Sequence, residues 1–260
     1  MNKQSVETEE LLEKTWRYIS KIKSSLESDN RYFTDPGFLT SLKRIFDECS
    51  VTLPARTVLY RARIYNEEDK QEKRRGSSLG EIFEGYDEKG SFVNESNKWP
   101  TPGRMNPIGI SVLYVASDVK TCIKELHPGV EELISVATIK TTKELKVADL
   151  SKGNSLSDNV HDSFLSVYVQ ELISQGYKER DYIFPQFVSS YCKSLEFDGI
   201  GYRSRYATRG QANEDAGVNY TFFNYNDRFD VTGSKLYEVT NIATTIRSIE
   251  EKVSGKRKKP

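Results

Sequence analysis

Histidine and cysteine are scarce in this 260-residue chain, which holds only His127, His161, Cys49, Cys122 and Cys192. No two cysteines stand at CxxC spacing, so a structural zinc site is not expected. Three scattered thiols suit a reducing compartment better than a disulfide framework. Two histidines without context give no nucleophile triad to argue, and the G-x-S-x-G elbow is missing. Neither a G-x-G-x-x-G fingerprint nor a Walker loop occurs, which removes support for a Rossmann or P-loop site. An excess of one charge is also absent: Lys+Arg and Asp+Glu number 38 each. No global field therefore draws the chain to nucleic acid or to an anionic membrane. No apolar run approaches the roughly 18 residues that span a bilayer. The opening "MNKQSVETEELLEK" lacks the apolar centre of a secretory signal. The expectation is a cytoplasmic protein without membrane association or direct nucleic-acid binding.

What the chain does have is aromatic and apolar material, 11% and 37% of its residues, enough to build a core in one large domain or two small ones. Leu11, Leu12, Trp16, Ile19, Ile22 and Leu26 fall near helical spacing and predict a helix over 4–28. A second is expected over 37–48, after the turn-like "TDPG". The alternation in "TVLYRARIY" (57–65) predicts a strand with Val58, Tyr60, Ala62 and Ile64 on one face and Leu59, Arg61 and Arg63 on the other. Residues 66–99 read as a long charged excursion with one short helix near 77–84, and such loops are usually functional or mobile. "LISVATIK" and "KELKVADLS" are expected strands. Helices follow at 161–175, with Phe164, Leu165, Tyr168, Leu172 and Ile173 on one face, and at 185–196. "FDGIGYRS", "VNYTFFN" and "SKLYEVTNI" supply the last strands, and the basic end "GKRKKP" reads as disordered. This order fits an α+β fold with a mixed or antiparallel sheet rather than a regular βαβ series.

The densest stretch is "TPGRMNPIGISVLYVASDVKTCIKEL", residues 101–126. "GRMNPIG" is turn chemistry, "SVLYVA" reads as a central strand, and Ser117 or Asp118 can cap a following helix. On that helix Val119, Cys122, Ile123 and Leu126 form the apolar stripe, and Glu125 lies roughly 60° outside it at 100° per residue. Local pattern alone leaves two readings of Glu125, a surface ion-pair partner or a functional carboxylate. Arg61, set among apolar neighbours, needs an anionic partner, either a protein carboxylate or the phosphates of a ligand. Tyr114 is a core aromatic or a platform for a flat ring. Ser204, on the face of Ile200 and Tyr202, says nothing alone.

Taken together, "LYRAR", "GRMNPIGISVLYVASDVKTCIKEL", "FDGIGYRS" and "GVNYTFF" resemble, in order and spacing, the RES-domain family, over roughly 55–225. The resemblance implies a fold like that of ADP-ribosyltransferase toxins, with a mixed or antiparallel sheet and flanking helices. It divides the chain into an N-terminal helical region (1–52), a RES catalytic domain (53–245) and a basic tail (246–260). It implies action on NAD+ as substrate without a metal, in toxins paired with a helix-turn-helix, Xre-type antitoxin. Carried over by position, the family's arginines fall on Arg61 and Arg104, its tyrosine on Tyr114, its glutamate on Glu125, its serine on Ser204, and a frequent asparagine on Asn219. Glu125, Arg61 and Ser204 are the implied catalytic set, and Arg104, Tyr114 and Asn219 the implied substrate-binding set. The implied reaction is cleavage of NAD+ at the nicotinamide–ribose bond, by a glycohydrolase or phosphorylase. The alternatives are ADP-ribosylation of a protein or nucleic acid, and a non-catalytic nucleotide-binding module. The N-terminal helices lie outside the family core and read as a cover for the sheet or a docking element, burial of their apolar stripe favouring the cover.

Overall fold

In the computed structural model the described residues are 3–32, 34–66, 83–92, 100–152, 160–174, 179–206 and 217–242. Helix α1 (Lys3–Ser28) buries Ile19, Ile22 and Leu26 of the stripe its spacing predicts, and Thr15, which that stripe did not include; Leu11 and Leu12 are half-buried,. Trp16 stays 46% exposed and its ring sits against Tyr168, 5.2 Å between centroids. Helix α2 (Pro36–Glu48) starts where Asp35 accepts the Phe38 amide, with proline in the first turn, where its missing N–H costs nothing,. Both helices share one core with α5 (Val160–Ser174), α6 (Ile183–Ser194), and Ala148, Ile200 and Tyr202 of the sheet. They cover the sheet, as their apolar faces require. Pro185 is tolerated as the third residue of α6 because the first turn needs no intrahelical donor there,.

Among the described residues the eight strands are β1 (Ser50–Leu53), β2 (Val58–Ile64), β3 (Leu113–Ala116), β4 (Leu133–Thr141), β5 (Leu145–Asp149), β6 (Gly199–Arg203), β7 (Val218–Phe222) and β8 (Phe229–Glu238). They lie in the order β1-β5-β6-β7-β3-β2-β4-β8. Every pair is antiparallel except β5 with β6. The fold is thus the expected α+β class with a mixed sheet. Val147 of β5 and Val231 of β8, far apart in that order, meet in one apolar cluster with Leu113, Val115 and Phe222, so the sheet curls strongly. β3 holds an inner position, as its two-sided burial predicts,.

Three details depart from expectation. β1 was not foreseen: "SVTL" is four residues long, directly follows a helix, and gains strand geometry only by pairing with β5. β8 begins at Phe229 rather than 234, because Phe229 and Val231 reach the apolar cluster. The short helix expected near 77–84 falls largely outside the described residues; at its end Phe83 bridges Ser234, and the helical turn seen within the excursion is α3 (Glu88–Phe92). The tail 246–260 lies outside the described residues as well. Among the described residues no helix is long and apolar enough to cross a membrane, and no three of His, Cys, Asp and Glu gather as a metal site.

Candidate active site

β2 pairs with β4 along its whole length but meets β3 at the single register position Tyr60↔Ala116. Beyond that point the two strands part, and between them opens a cavity of about 590 Å³ walled by residues 60–64 of β2 and 114–116 of β3. Its size is that of a small-molecule site. Helix α4 (Val119–Glu125) flanks the split, packed on Tyr60 and Ala62 through Val119, Cys122 and Ile123. Of the two candidate caps, Asp118 starts α4: it accepts the Thr121 amide at 2.8 Å and the Thr121 hydroxyl at 2.7 Å. It also accepts the Gly217 amide at 3.0 Å, which ties the helix start to the entry of β7. Burial pushes the Asp118 pKa up, but these donors outweigh it and hold the carboxyl below its ordinary value,.

Glu125 ends α4 with its side chain 21% exposed, at the boundary where the helical geometry put it. Ser204 Oγ and Asn219 Nδ2 each donate to its Oε1 at 2.6 Å. Oε2 lies 4.0 Å from the Arg104 guanidinium. Both donors come from neighbouring strands: Asn219 is in register with Ala116 of β3 and Tyr202 of β6, and Ser204 directly follows β6. Ser204 is buried, donates its amide to Gly217 O and accepts the Tyr206 amide on its hydroxyl at 3.1 Å. Gly217 has φ 83°, a conformation that suits glycine and delivers its carbonyl to Ser204,. One carboxylate oxygen is therefore fixed by two donors, while the other faces an arginine beside the cavity.

Arg104 belongs to the turn predicted at "GRMN". Gly103 N donates to Asn106 O at 2.9 Å, and Gln186 donates to Gly103 O at 2.8 Å. Tyr114 Oη accepts the Met105 amide at 2.8 Å and donates to Asn106 Oδ1 at 2.7 Å, so β3 holds the turn by its tyrosine hydroxyl. Only glycine fits at 103, since a Cβ there would stand 2.6 Å from Asn106 Oδ1 and 2.7 Å from Tyr114 Oη. The Tyr114 ring lines the cavity while its hydroxyl is committed to the turn, and burial keeps the phenol protonated far above its usual range. Arg104 Nε is buried with no hydrogen-bond partner among the described residues. Tyr202 lies nearby; burial pushes its phenol up to about 12 although Arg104 pulls the other way.

Arg61 was expected to hold a carboxylate or a ligand phosphate. Among the described residues its hydrogen-bond partners are two backbone carbonyls, Ser91 O at 2.9 Å from Nε and Tyr114 O at 3.0 Å from the NH1 nitrogen. Tyr114 O is thus engaged by a guanidinium where the strand ladder has ended. Burial, then the neighbouring Arg63, lower the Arg61 pKa to about 10, which leaves it charged at neutral pH,.

The cavity gathers Arg61, Arg104, Tyr114, Glu125 and Asn219 in its lining, with Ser204 one bond behind Glu125. It also brings in Arg63, His127 and Tyr182, which pattern reading did not single out as site residues. Arg63 could have been found from the R-x-R alternation that sets it on the face of Arg61. His127 follows α4 in a left-handed conformation, φ 52°, and its Nε2 meets the Tyr206 hydroxyl, a contact no spacing announces. Among the described residues the lining includes three arginines and one glutamate, a field that favours an anionic ligand,.

The strand split thus sets one fixed carboxylate and several arginines around a single cavity. The sequence model of the RES domain matches residues 86–232, more than half of the chain, and the chain belongs to the RES domain family. That stretch holds Arg104, Tyr114, Glu125, Ser204 and Asn219, while Arg61 lies upstream of it. Among solved structures, the chain aligns with one chain of the crystal structure of the M. tuberculosis MbcT–MbcA toxin–antitoxin complex, at 14% identity and a TM-score of 0.39, over 76% of this chain and 92% of that one. A likeness of that size assigns no residue of this chain a role. No curated protein matches.

Proposed function

We propose that this chain cleaves NAD+ at the nicotinamide–ribose bond and acts as the toxin of a toxin–antitoxin pair in the cytoplasm. The observation that carries the reading is Glu125, whose Oε1 takes two donors at 2.6 Å at the edge of a cavity lined by Arg61, Arg63 and Arg104. The C–N glycosidic bond breaks with its electron pair going to nicotinamide, which leaves as a neutral ring and needs no acid. The ribose then carries oxocarbenium character, and a fixed carboxylate offsets that charge and can hydrogen-bond the ribose hydroxyls. Because Ser204 and Asn219 hold Oε1, the carboxylate is oriented before substrate arrives, which is where electrostatic catalysis gains most. The arginines suit the pyrophosphate, whose oxygens accept their forked donors. Water attacking the anomeric carbon gives ADP-ribose and a proton; phosphate gives the phosphorylated sugar.

Incubating the purified protein with NAD+, with and without phosphate, tests the proposal. Nicotinamide release is expected, and NAD+ left intact under both conditions overturns it. Labelled NAD+ in cell lysate separates the alternative, since transfer to a protein or nucleic acid gives a discrete labelled acceptor. Saturable binding without turnover would point to the non-catalytic module. The partner implied by the family is a helix-turn-helix, Xre-type antitoxin, to be sought by co-expression rescue of growth.

A further inference from the structure

Ser204 is held from both ends of the helix that carries Glu125. At the start of α4, Asp118 accepts the Gly217 amide at 3.0 Å, and Gly217 O accepts the Ser204 amide at 2.6 Å. At the other end the His127 amide donates to Lys124 O at 3.2 Å, and His127 itself turns into the left-handed region at φ 52°. Its Nε2 meets the Tyr206 hydroxyl, and the two rings stand edge to face, 5.4 Å between centroids. The Tyr206 amide in turn donates to Ser204 Oγ at 3.1 Å. Glu125 with Ser204 and His127 with Tyr206 thus form two rungs between the end of α4 and the segment after β6.

The second rung acts on the first through the serine hydroxyl. A hydroxyl has one proton to donate and lone pairs with which to accept. Accepting the Tyr206 amide commits a lone pair and leaves the proton for Glu125 Oε1, in the 2.6 Å bond. Tyr206 lies past the end of β6, beyond the ladder that fixes Gly199–Arg203 on β7, and its ring on His127 ties it to α4 instead. Glycine would take the left-handed φ of residue 127 freely. A residue with a Cβ takes it at a cost, which points to a use for the imidazole.

We infer that Tyr206 is a positioning residue for Glu125: its ring, latched on His127, keeps its amide on the Ser204 hydroxyl and so keeps that hydroxyl donating to the carboxylate. The inference rests on the NAD+ reading for what the carboxylate does, whereas the latch itself belongs to the fold. His127 lines the cavity and Glu125 with it, and Tyr206 acts on the carboxylate through Ser204.

The test is steady-state NAD+ cleavage by wild type, Tyr206→Phe, Ser204→Ala and the double variant, with amide hydrogen exchange at position 206 followed by NMR. Tyr206→Phe lowers kcat by about fivefold, the worth of one weakened hydrogen bond, and leaves KM within about twofold. In the Ser204→Ala background the same change has no further effect, because the route through the hydroxyl is already cut. A residue that only stabilises the fold would lower both backgrounds alike. The amide at 206 exchanges about fivefold faster in Tyr206→Phe and in His127→Ala, as the latch opens. His127→Gln, whose side chain can still meet the tyrosine hydroxyl, restores slow exchange. An unchanged kcat in Tyr206→Phe, or an equal loss in both backgrounds, overturns the inference. So does exchange at 206 that neither Tyr206→Phe nor His127→Ala moves. Should wild type leave NAD+ intact, the NAD+ reading falls and the latch is judged by exchange alone.

Discussion

Ser204 Oγ and Glu125 Oε1 lie 2.6 Å apart although 79 residues separate them in the chain. The pair joins the end of α4 to the end of β6, and Asn219 Nδ2 reaches the same oxygen at 2.6 Å from β7. A carboxylate that accepts two short bonds on one oxygen has its other oxygen directed, and here that oxygen faces Arg104. The serine is thereby placed to position the glutamate.

Removing the charge and removing the support should then differ in degree. Glu125→Gln lowers nicotinamide release by about 10²- to 10³-fold, the loss typical of one fixed transition-state stabiliser. Ser204→Ala lowers it by about tenfold, since one hydrogen bond to a charged group is lost while Asn219 still holds Oε1. Release is followed by chromatography, and near-ultraviolet circular dichroism verifies the fold. Equal losses in the two variants would contradict a supporting role for Ser204.

Tyr114 offers a cleaner separation of structural from binding roles. Its hydroxyl bridges Met105 N and Asn106 Oδ1, whereas its ring lines the cavity. Tyr114→Phe keeps the ring and strands both turn groups, at a cost of about 1–3 kcal/mol in stability. The unfolding free energy from denaturant titration should fall by that amount, with a lower midpoint at unchanged slope, and the KM for NAD+ should rise as the turn bearing Arg104 loosens. An unchanged midpoint would mean that the hydroxyl does not hold the turn.

"GRMNPIGISVLYVASDVKTCIKEL" was legible as turn, strand and capped helix because each piece obeys local chemistry: glycine where no Cβ fits, an apolar strand, an aspartate accepting the amide three residues on. Glu125 could be set at the border of a stripe by arithmetic alone. Its partners could not, because Ser204 and Asn219 arrive through strand order, which no local pattern encodes; only family resemblance brought them forward. The cleft was equally hidden, since it exists because β2 and β3 share one register position and then part. Arg61 was read as a charge in need of an anionic partner, and among the described residues its hydrogen-bond partners are the carbonyls of residues 91 and 114, the first of them inside the charged excursion. β1 escaped because four residues carry too little periodicity.

Cysteine chemistry gives a prediction independent of any substrate. Cys49, Cys122 and Cys192 are all buried and unpaired. Burial pushes Cys49 up to about 11 and Cys122 up to about 12, and raises Cys192 further still. Near pH 8 the thiolate fraction is therefore far below that of an exposed thiol, and native protein should react with a thiol-specific dye more slowly than the denatured chain by about a hundredfold or more. Denaturant should release all three. A fast native phase would place at least one thiol in an open environment, with Cys122 beside the cavity the first to examine.

The last prediction concerns how the N-terminal helices stay on the sheet. Asp162 of α5 is fully buried and accepts Arg44 Nε of α2 at 2.7 Å, while His161 lies 3.4 Å from its other oxygen. Burial alone raises the Asp162 pKa, but the bonds from Arg44, His161 and Ser41 outweigh it and hold it below the ordinary value. A carboxyl with a folded-state pKa below its unfolded one stabilises the fold fully above the unfolded value, near pH 4, and loses that contribution as pH falls through the folded value. Asp162→Asn should thus cost about 1–3 kcal/mol at pH 7, because a buried acceptor is weakened and Arg44 loses its counter-ion. Arg44 keeps 48% of its side chain in solvent, which screens the pair and holds the figure below that of a fully buried bridge,. Urea unfolding of both proteins at pH 7 and pH 3 measures the gap, which should shrink at the lower pH. A gap of the same size at both would show that the charge on Asp162 does not fasten α2 to α5.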